Sequence, residues 1–424
     1  MPAADLLLEN ASQIVTFRWV GEEKPAAMGW QVLTLANGAL AISDGKITAV
    51  GGQEVVRAKW LRRGRTQVVD VRGKTLLPGF VDSHTHPVFF NTREKEFEQR
   101  VQGKSYEEIA AAGGGIRSSI EGVRQASEEE LLRRVSRRLD RFLELGTTTV
   151  EAKTGYGLSY EAEMKSLRVL NTLRKSHPVD VVPTFLGAHE MPDEYRNNRD
   201  DYIRVLTDVM IPEIAENHLA EFVDVYCEQG VYTPAETLKI ASAAHLAGLG
   251  LKIHADQFHA IGCTELAAEM HAVSVDHLEQ VTDAGVEKLR AFGCVATLLP
   301  GSVFFLGLNH YPPARKLMGS GVPVALATDF NPGSSMTQSL PLMMTLAALF
   351  MKMTPDEVLV AATIQGARAL RREKRIGNLA EGYQADVLVV DAEDYRLVPY
   401  YFGVNLVEMV IKKGKILIDR RSKR

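Results

Sequence analysis

The chain has 424 residues with a formal net charge of −4, 46% hydrophobic residues and 24% charged residues, which fits a globular protein with one large and one smaller domain. Neither sign of charge dominates and no apolar run reaches the ~18–20 residues that cross a bilayer, so we expect no nucleic-acid partner and no membrane-spanning segment. The N-terminus lacks a signal-peptide pattern, and the scattered Cys227, Cys263 and Cys294 indicate thiols in a reducing cytoplasm rather than a disulfide framework.

The two ends of the chain predict short β-strands separated by turn residues such as Asn37-Gly38 and Asp44-Gly45. In the first part of the chain these segments lie at 7–10, 39–42, 46–50 and 68–71. Segments of the same kind return at 385–391, 407–411 and 414–418. We therefore expect both ends to be all-β and to pair into one small β-sandwich domain formed by residues 1–77 and 376–424.

The middle of the chain alternates between apolar runs of strand length and amphipathic helical stretches. The eight runs lie at 79–82, 147–151, 180–185, 222–226, 250–253, 272–275, 294–298 and 322–327. Helical stretches between them include 127–145, 161–175, 234–246 and 284–291, and Ser127 with Glu130 forms a capping-box pattern at the start of the first. This alternation predicts a (β/α)8 TIM barrel, an α/β fold, over residues 78–375.

Glycine patterns separate this fold from its main competitor, a doubly wound open sheet. No Gly-x-Gly-x-x-Gly sequence follows the first strand of the alternating region. The run Gly113-Gly114-Gly115 lies in a long insertion after that strand and lacks this spacing. We expect it to form a mobile loop or the hinge of a lid.

Polar residues capable of metal binding or catalysis follow most of the eight runs. In chain order they are His84 and His86, Glu151 to Lys153, His189, Glu228, His254 with Asp256 and Gln257, His277, and Asp329. Because barrel enzymes place their chemistry at the C-terminal ends of the strands, we expect these side chains to converge on one rim. A lone histidine here is more often a buried structural residue, but five histidines and Asp329 on one rim predict a functional site.

Three imidazoles and one carboxylate suit zinc or another first-row divalent ion such as iron. Such an ion lowers the pKa of its bound water from about 15.7 towards roughly 7. The aspartate can accept the proton of that water, and a further histidine can hold the nucleophile or polarise the electrophile. The pattern predicts metal-dependent hydrolysis at a carbon bonded to nitrogen or oxygen.

The histidine and aspartate pattern, and a β-domain assembled from both ends, resemble the amidohydrolase superfamily. Longer segments are similar to one branch of it, the enzymes that open an imidazolone ring in histidine degradation. These segments run from Gly103 to Tyr106, Ala112 to Ser118, Lys153 to Leu158, Thr184 to His189, Lys252 to Asp256, Ala327 to Ser335 and Tyr401 to Asn405. The similarity extends from about residue 35 to the C-terminus.

The resemblance implies hydrolysis of 4-imidazolone-5-propanoate by water to N-formimino-L-glutamate, in a cytoplasmic enzyme that forms a homodimer. It implies one metal ion, Zn²⁺ or Fe with zinc favoured, held by His84, His86, His254 and Asp329. The catalytic residues it implies are Asp329, His277 and Gln257. The substrate-binding residues it implies are Arg93, Tyr106, Tyr156, His189, Asn331, Gly333 and Ser334.

Individual residues fit this chemistry in different ways. Arg93 lies nine residues past His84 and can grip the propionate bidentately. Gln257 stands where some members of the family carry a glutamate, and an amide can accept a hydrogen bond but cannot take a proton. Lys153 lies near the place of the carbamylated lysine of two-metal amidohydrolases, but the similar branch binds one metal, which predicts a structural, salt-bridging lysine.

Two alternatives remain at this point. Another mononuclear amidohydrolase, such as a nucleobase deaminase or a dihydroorotase, would use the same metal pattern, whereas Arg93, Tyr156 and the segment 331–335 favour a ring that carries a carboxylate. A non-catalytic barrel scaffold would be expected to have lost metal ligands, and this sequence retains all four.

Overall fold

The computed structural model describes residues 3–21, 27–104, 108–109 and 114–421 of the chain. Two separate eight-stranded sheets organise these residues. One sheet is parallel and carries helices on its outside, and the other is built from both ends of the chain.

The parallel sheet is a barrel in which each strand lies beside the next strand along the chain. Its strands are β6 (Phe80–Asp82), β7 (Thr147–Lys153), β8 (Asp180–Ala188), β9 (Phe222–Cys227), β10 (Gly250–Ala255), β11 (Ser274–His277), β12 (Val295–Leu298) and β13 (Val324–Leu326). A parallel bridge between Thr85 and Phe330 joins the segments that follow β6 and β13, so the barrel is nearly closed. All eight predicted strands are present, and the predicted (β/α)8 fold is confirmed.

The second sheet pairs the two ends of the chain, as predicted. Its strands are β1 (Leu6–Trp19), β2 (Trp30–Ser43), β3 (Lys46–Gly52), β4 (Gln67–Asp70), β5 (Thr75–Pro78), β14 (Val387–Val390), β15 (Val407–Lys412) and β16 (Lys415–Asp419). The two halves join where β14 runs antiparallel to β5. Leu8, Leu40, Val387 and Met409 are buried together in its core, and each such side chain stabilises the fold by about 1.5–3 kcal/mol. We propose the predicted domain limits, residues 1–77 with 376–424 and residues 78–375, because the chain leaves this sheet at Pro78.

The helices of the described part of the chain lie mostly between barrel strands. They are α1 (Gln53–Trp60), α2 (Glu94–Val101), α3 (Ile116–Gln125), α4 (Glu128–Glu144), α5 (Tyr160–Ser176), α6 (Arg199–Arg204), α7 (Ile211–Glu216), α8 (Pro234–Leu246), α9 (Cys263–Glu269), α10 (Asp283–Phe292), α11 (Pro300–Phe305), α12 (Ala314–Gly319), α13 (Leu340–Phe350), α14 (Pro355–Ala361), α15 (Ile364–Arg368) and α16 (Leu397–Tyr400). A π-helical segment, Val205–Met210, joins α6 to α7. The capping box predicted at Ser127 and Glu130 begins α4. None of these helices is long and apolar enough to span a membrane.

Two sequence-based predictions are wrong in this part of the molecule. The N-terminal region is not all-β, because α1 packs on the second sheet through its one buried residue, Val56. Its sequence is rich in good helix formers, which the neighbouring Gly51-Gly52 turn signal obscured. The cysteines are not all free thiols either, since Cys227 at the end of β9 forms a disulfide with Cys263 at the start of α9, and only Cys294 is free among the described residues.

Candidate active site

The two ends of the barrel sheet meet at the site through backbone hydrogen bonds. The Asp329 N–H donates to the His84 carbonyl at 3.1 Å, and the His86 N–H donates to the Phe330 carbonyl at 2.9 Å. These bonds place His84, His86 and Asp329 side by side although more than 240 residues separate them in sequence. Asp329 adopts a φ of +51° and His277 a φ of +81°, a backbone region that residues with a side chain seldom occupy and that is concentrated at functional sites.

Four donor atoms form a compact, buried cluster at this rim. His84 Nε2 lies 3.1 Å from His86 Nε2, and His86 Nε2 lies 3.4 Å from His254 Nε2. Asp329 Oδ1 lies 3.5 Å from His84 Nε2 and 3.4 Å from His86 Nε2. Tetrahedral donors at about 2.0–2.1 Å from a zinc ion lie about 3.3 Å from one another. The separations among His84, His86 and Asp329 are therefore close to those around one metal ion, and His254 lies beside this group next to His86.

The outward-facing nitrogens of two of these imidazoles are held by buried carboxylates. His84 Nδ1 lies 2.6 Å from Asp276 Oδ2, and His254 Nδ1 lies 3.1 Å from Asp224 Oδ1. An acceptor at Nδ1 makes that nitrogen the protonated one and leaves the lone pair of Nε2 directed into the cluster. The Nε2 lone pairs of His84 and His254 are therefore available to a cation, which is the chemical argument for a metal here.

The acidity of Asp329 also suits a ligand. Burial would raise the pKa of its carboxyl, but the neighbouring rings of His84 and His86 hold that pKa well below its usual range. Asp329 is therefore a carboxylate at any physiological pH. Ser334 Oγ donates to its other oxygen at 3.3 Å.

His277 lies beside the cluster and could be a metal ligand itself. Its ring centroid is 5.4 Å from that of His254 and 5.7 Å from that of His84. Nitrogens of these three rings lie within 4.8 Å of one another, so His277 is within reach of the same ion. Its Nδ1 faces Glu279 Oε1 at 3.6 Å, too far for a hydrogen bond. The geometry allows His277 to act either as a ligand or on the substrate.

The cluster opens into a cavity of about 560 Å³ that is large enough for a small ring compound. Three of the four predicted metal-binding residues line the cavity, namely His86, His254 and Asp329. The other predicted site residues that line it are Arg93, Tyr156, His189, Gln257, His277, Asn331, Gly333 and Ser334. Arg100, Lys104 and Glu228 also line it and were not predicted as site residues. The predicted Tyr106 and Gly113 lie outside the described residues. Gly115 is the N-cap residue of α3 and has a φ of +77°.

Arg93 presents a buried cation to this cavity. Its Nε donates to Ser119 Oγ at 3.0 Å, while its buried Nη2 has no hydrogen-bond partner among the described residues. None of the ion pairs in the described part of the chain includes Arg93. A Cβ added at Gly333 would lie 2.6 Å from Arg93 Nη1, so a larger residue at this position would displace the guanidinium. A buried guanidinium with spare donors is suited to a carboxylate ligand.

The two aromatic residues predicted to contact substrate also line the cavity. His189 stacks on His86 with ring centroids 5.1 Å apart, and Tyr156 lies edge-on to His189 at 5.2 Å. His189 Nδ1 donates to the Gly155 carbonyl at 2.9 Å. Enclosure and the neighbouring His86 lower the pKa of His189 to about 3. His189 is therefore neutral near pH 7, with its Nε2 lone pair available as an acceptor.

Gln257 is oriented by a tyrosine that the sequence did not reveal. The Tyr226 hydroxyl donates to Gln257 Oε1 at 2.8 Å, which directs the amide N–H2 group away from that bond. Gln257 therefore offers a donor, rather than the acceptor considered from the sequence. Glu228 lies near it, where it accepts from the N–H of Phe258 at 2.9 Å and contacts the ring of His259 at 3.1 Å.

The segment after Asp329 bonds chiefly to itself. Asn331 Oδ1 accepts from the N–H groups of Gly333 and Ser334, each at 2.8 Å, and Asn331 Nδ2 donates to the Asp329 carbonyl at 2.7 Å. These bonds make a rigid turn next to Arg93. The same bonds use the donors that were expected to receive the new carboxylate.

Comparison with known proteins agrees with this fold and site. The model of the amidohydrolase family matches residues 101–418. Solved structures with the same fold include the guanine deaminase of E. coli (TM-score 0.75, 15% identity, 98% of this chain and 100% of that chain) and a zinc-bound adenosine deaminase from Xanthomonas campestris (TM-score 0.68, 21% identity, 99% and 94%). The chain belongs to the amidohydrolase family.

Curated relatives narrow this assignment. An imidazolonepropionase of Geobacillus thermodenitrificans is 50% identical over 386 residues, which is 91% of each chain. Imidazolonepropionases of Geobacillus kaustophilus and Clostridium tetani are 46% and 41% identical over 420 residues each, covering at least 98% of both chains. Within the amidohydrolases, the chain falls among the imidazolonepropionases.

Proposed function

We propose that this chain hydrolyses 4-imidazolone-5-propanoate to N-formimino-L-glutamate, the ring-opening step implied by its relatives. The observation that carries the proposal is the pairing of two features in one cavity. The cluster of His84, His86, His254 and Asp329 suits a hydrolytic metal. The buried Arg93, whose Nη2 has no hydrogen-bond partner among the described residues, suits a substrate carboxylate. Guanine and adenosine, the compounds that name the two deaminases among the structural neighbours, have no carboxylate for Arg93 to bind.

The metal-binding residues are proposed to be His84, His86, His254 and Asp329. A divalent ion bound there supplies the Lewis acidity that makes a water molecule nucleophilic near neutral pH. We favour zinc over iron, because a set of three imidazoles and one carboxylate suits a metal without a demand for six ligands.

The chain's own residues then divide the work of the reaction. Arg93 binds the propionate and fixes the ring in the cavity, and His189 and Tyr156 contact the ring from the wall of the cavity. Asp329 accepts a proton from the attacking water, and His277 stabilises the developing charge on the carbonyl oxygen. Water adds to the amide-like carbonyl carbon, the bond from that carbon to the ring nitrogen breaks, and the nitrogen takes up the proton. The carbonyl carbon becomes the second carboxylate.

Gln257 and the turn after Asp329 complete the proposed site. The Gln257 amide, held by Tyr226, donates a hydrogen bond to the ring, so it orients the substrate and transfers no proton. Asn331, Gly333 and Ser334 hold Asp329 and Arg93 in place, and they receive the new carboxylate only by exchanging their present bonds. Tyr106 is proposed as a further substrate contact on the basis of the sequence.

The test is a direct assay of the purified protein with freshly prepared 4-imidazolone-5-propanoate, following loss of the ring absorbance and formation of N-formimino-L-glutamate. The protein is first stripped with a chelator and then reloaded with Zn²⁺ or Fe²⁺ in parallel samples. We expect turnover only after metal is added, and no ammonia from guanine or adenosine. A fully metal-loaded protein that does not open the ring would overturn the proposal. A cytoplasmic location and a homodimer stay predictions, which fractionation and light scattering would check.

A further inference from the structure

Beneath the four metal-binding residues lies a layer of buried charges that the proposed reaction does not use. Lys153 of β7 crosses the inside of the barrel and has no exposed surface. Its Nζ donates to Asp224 Oδ2 at 2.6 Å and to Glu151 Oε1 at 2.9 Å. Asp276 Oδ2 lies 3.7 Å from the same nitrogen. Lys153, Asp224 and Asp276 come from the second, fourth and sixth barrel strands, which is the arrangement of one interior layer of a TIM barrel.

The layer is connected to the metal-binding imidazoles by the same carboxylates. Asp224 uses one oxygen for Lys153 and its carboxylate also contacts His254 Nδ1 at 3.1 Å. A second lysine, Lys252, donates to the Ser83 carbonyl at 2.8 Å and lies 3.1 Å from Glu151 Oε1. The shortest chain of polar contacts from a buried cation to a metal-binding residue therefore runs from Lys153 through Asp224 to His254.

Charge explains why a lysine is needed there. Asp224, Asp276 and Glu151 are all fully buried, and an ionised carboxylate in that position is costly unless a cation pairs with it. Without Lys153, the Asp224 carboxylate would rotate towards other donors, and His254 Nδ1 would lose the acceptor at 3.1 Å that holds its ring. The Nε2 lone pair of His254 would then no longer be directed at the ion. A carbamylated Lys153 would add a negative charge beside three carboxylates, so its surroundings suit only the ammonium form.

We propose that Lys153 is a positioning residue for the metal site, acting through Asp224 to hold His254 with its Nε2 lone pair directed at the ion. The inference rests on the proposed metal site and not on the identity of the substrate. Lys153 itself touches neither the substrate nor the four donor atoms.

The first experiment measures metal affinity, with no substrate present. Lys153→Met keeps the length of the side chain and removes the charge, and Zn²⁺ affinity is measured by competition with a chelator on protein whose fold is checked by circular dichroism. We expect affinity about 10–100-fold weaker than in the unchanged protein, the usual effect of losing a partner behind a ligand. An affinity within twofold of the unchanged protein would overturn the proposal.

Lys412 provides a matched control. It is also buried and also bridges two carboxylates, with Asp386 Oδ2 at 2.7 Å and Asp180 Oδ2 at 2.8 Å. Asp180 begins β8, so this bridge lies at the opposite end of the barrel from the metal site. Lys412→Met should lower thermal stability as much as Lys153→Met does and leave zinc affinity unchanged. An equal loss of zinc affinity in both variants would show a general effect of lost stability and would contradict the proposal.

A double variant separates the path through Asp224 from any other. Asp224→Asn alone should weaken zinc binding, and adding Lys153→Met should weaken it less than threefold further, because the lysine then has no carboxylate to act through. The double variant removes both charges together, so it is also the form to study if Lys153→Met alone does not fold. If the loss of zinc affinity in the double variant equals the product of the losses in the two single variants, Lys153 acts independently of Asp224 and the proposal is wrong. Ring-opening activity is not part of this readout, so failure of the substrate assignment would leave it unaffected.

Discussion

Replacing Arg93 with methionine should abolish recognition of the substrate carboxylate without weakening the fold. Arg93 is 8% exposed, and its Nη2 has no partner among the described residues. A buried guanidinium without a counter-ion costs free energy in the ligand-free protein, so Arg93→Met should leave the melting temperature unchanged or raise it. The bound carboxylate, in contrast, loses a charge-assisted pair worth about 2–5 kcal/mol. That loss corresponds to roughly 30- to 4,000-fold in affinity or kcat/KM.

The assay compares two stable ligands, imidazole-4-propionate and 4-propylimidazole, by calorimetry. Both carry the same imidazole ring and differ only in the carboxylate, so the ratio of their dissociation constants reports the carboxylate alone. In Arg93→Met this ratio should fall towards one, and kcat/KM for the true substrate should fall with it. An unchanged ratio would refute the reasoning and would direct attention to Arg100 or Lys104, which line the same cavity.

Two further variants sharpen this test. Arg138 is equally buried, but it donates to the carbonyls of Pro87 and Phe89. Arg138→Met should therefore lower the stability of the fold and leave the ratio of the two dissociation constants unchanged. Gly333→Ala would place a Cβ 2.6 Å from Arg93 Nη1 and must displace the guanidinium by about 1 Å. A displacement of that size can cost about 100-fold in rate. Metal content should be unchanged in both variants.

Three other outcomes are expected. His254→Ala should lose metal and all activity, whereas His277→Ala should keep metal and lose about 100-fold in kcat; loss of metal from the second variant would make His277 a ligand. Burial would raise the pKa of Asp180, but Lys412 lowers it from 3.8 to about 2, so this carboxylate stabilises the fold above pH 3.8 and the effect disappears as the pH falls through 2. The free energy of unfolding of Asp180→Asn should therefore be about 2 kcal/mol lower than that of the unchanged protein at pH 7 and nearly equal to it near pH 2, as measured by denaturant titration. Titration of unreduced, denatured protein should find one thiol, that of Cys294, and three would contradict the disulfide.

The sequence predicted the elements of this fold better than the contacts between them. Alternating apolar runs located all eight barrel strands because each strand is buried on both faces and shows as a continuous apolar segment. The same rule predicted that His84, His254 and Asp329 would meet, since parallel strands of a barrel bring their C-terminal ends to one rim. The helix α1 escaped prediction because only one of its residues is buried.

The residues that support the site could not be found in the same way. Asp224 and Asp276 lie inside strands, and the only signal for them is a charge within an apolar run. Which lysine reaches which carboxylate depends on the register between strands and on the direction of a long side chain across the barrel. Tyr226 orients Gln257 across two neighbouring strands, a contact between positions 31 residues apart that no spacing in the sequence reveals.

The pairing of β5 with β14 has a consequence for the order in which the protein is made. β5 is complete at Pro78, but its partner does not begin until Val387, so a growing chain on the ribosome must synthesise the whole barrel first. Until then one edge of the first sheet has no neighbour, and an unpaired apolar edge is a template for association with other chains. Chains cut short before Val387 should therefore aggregate or be degraded, even though every metal-binding residue has already been made.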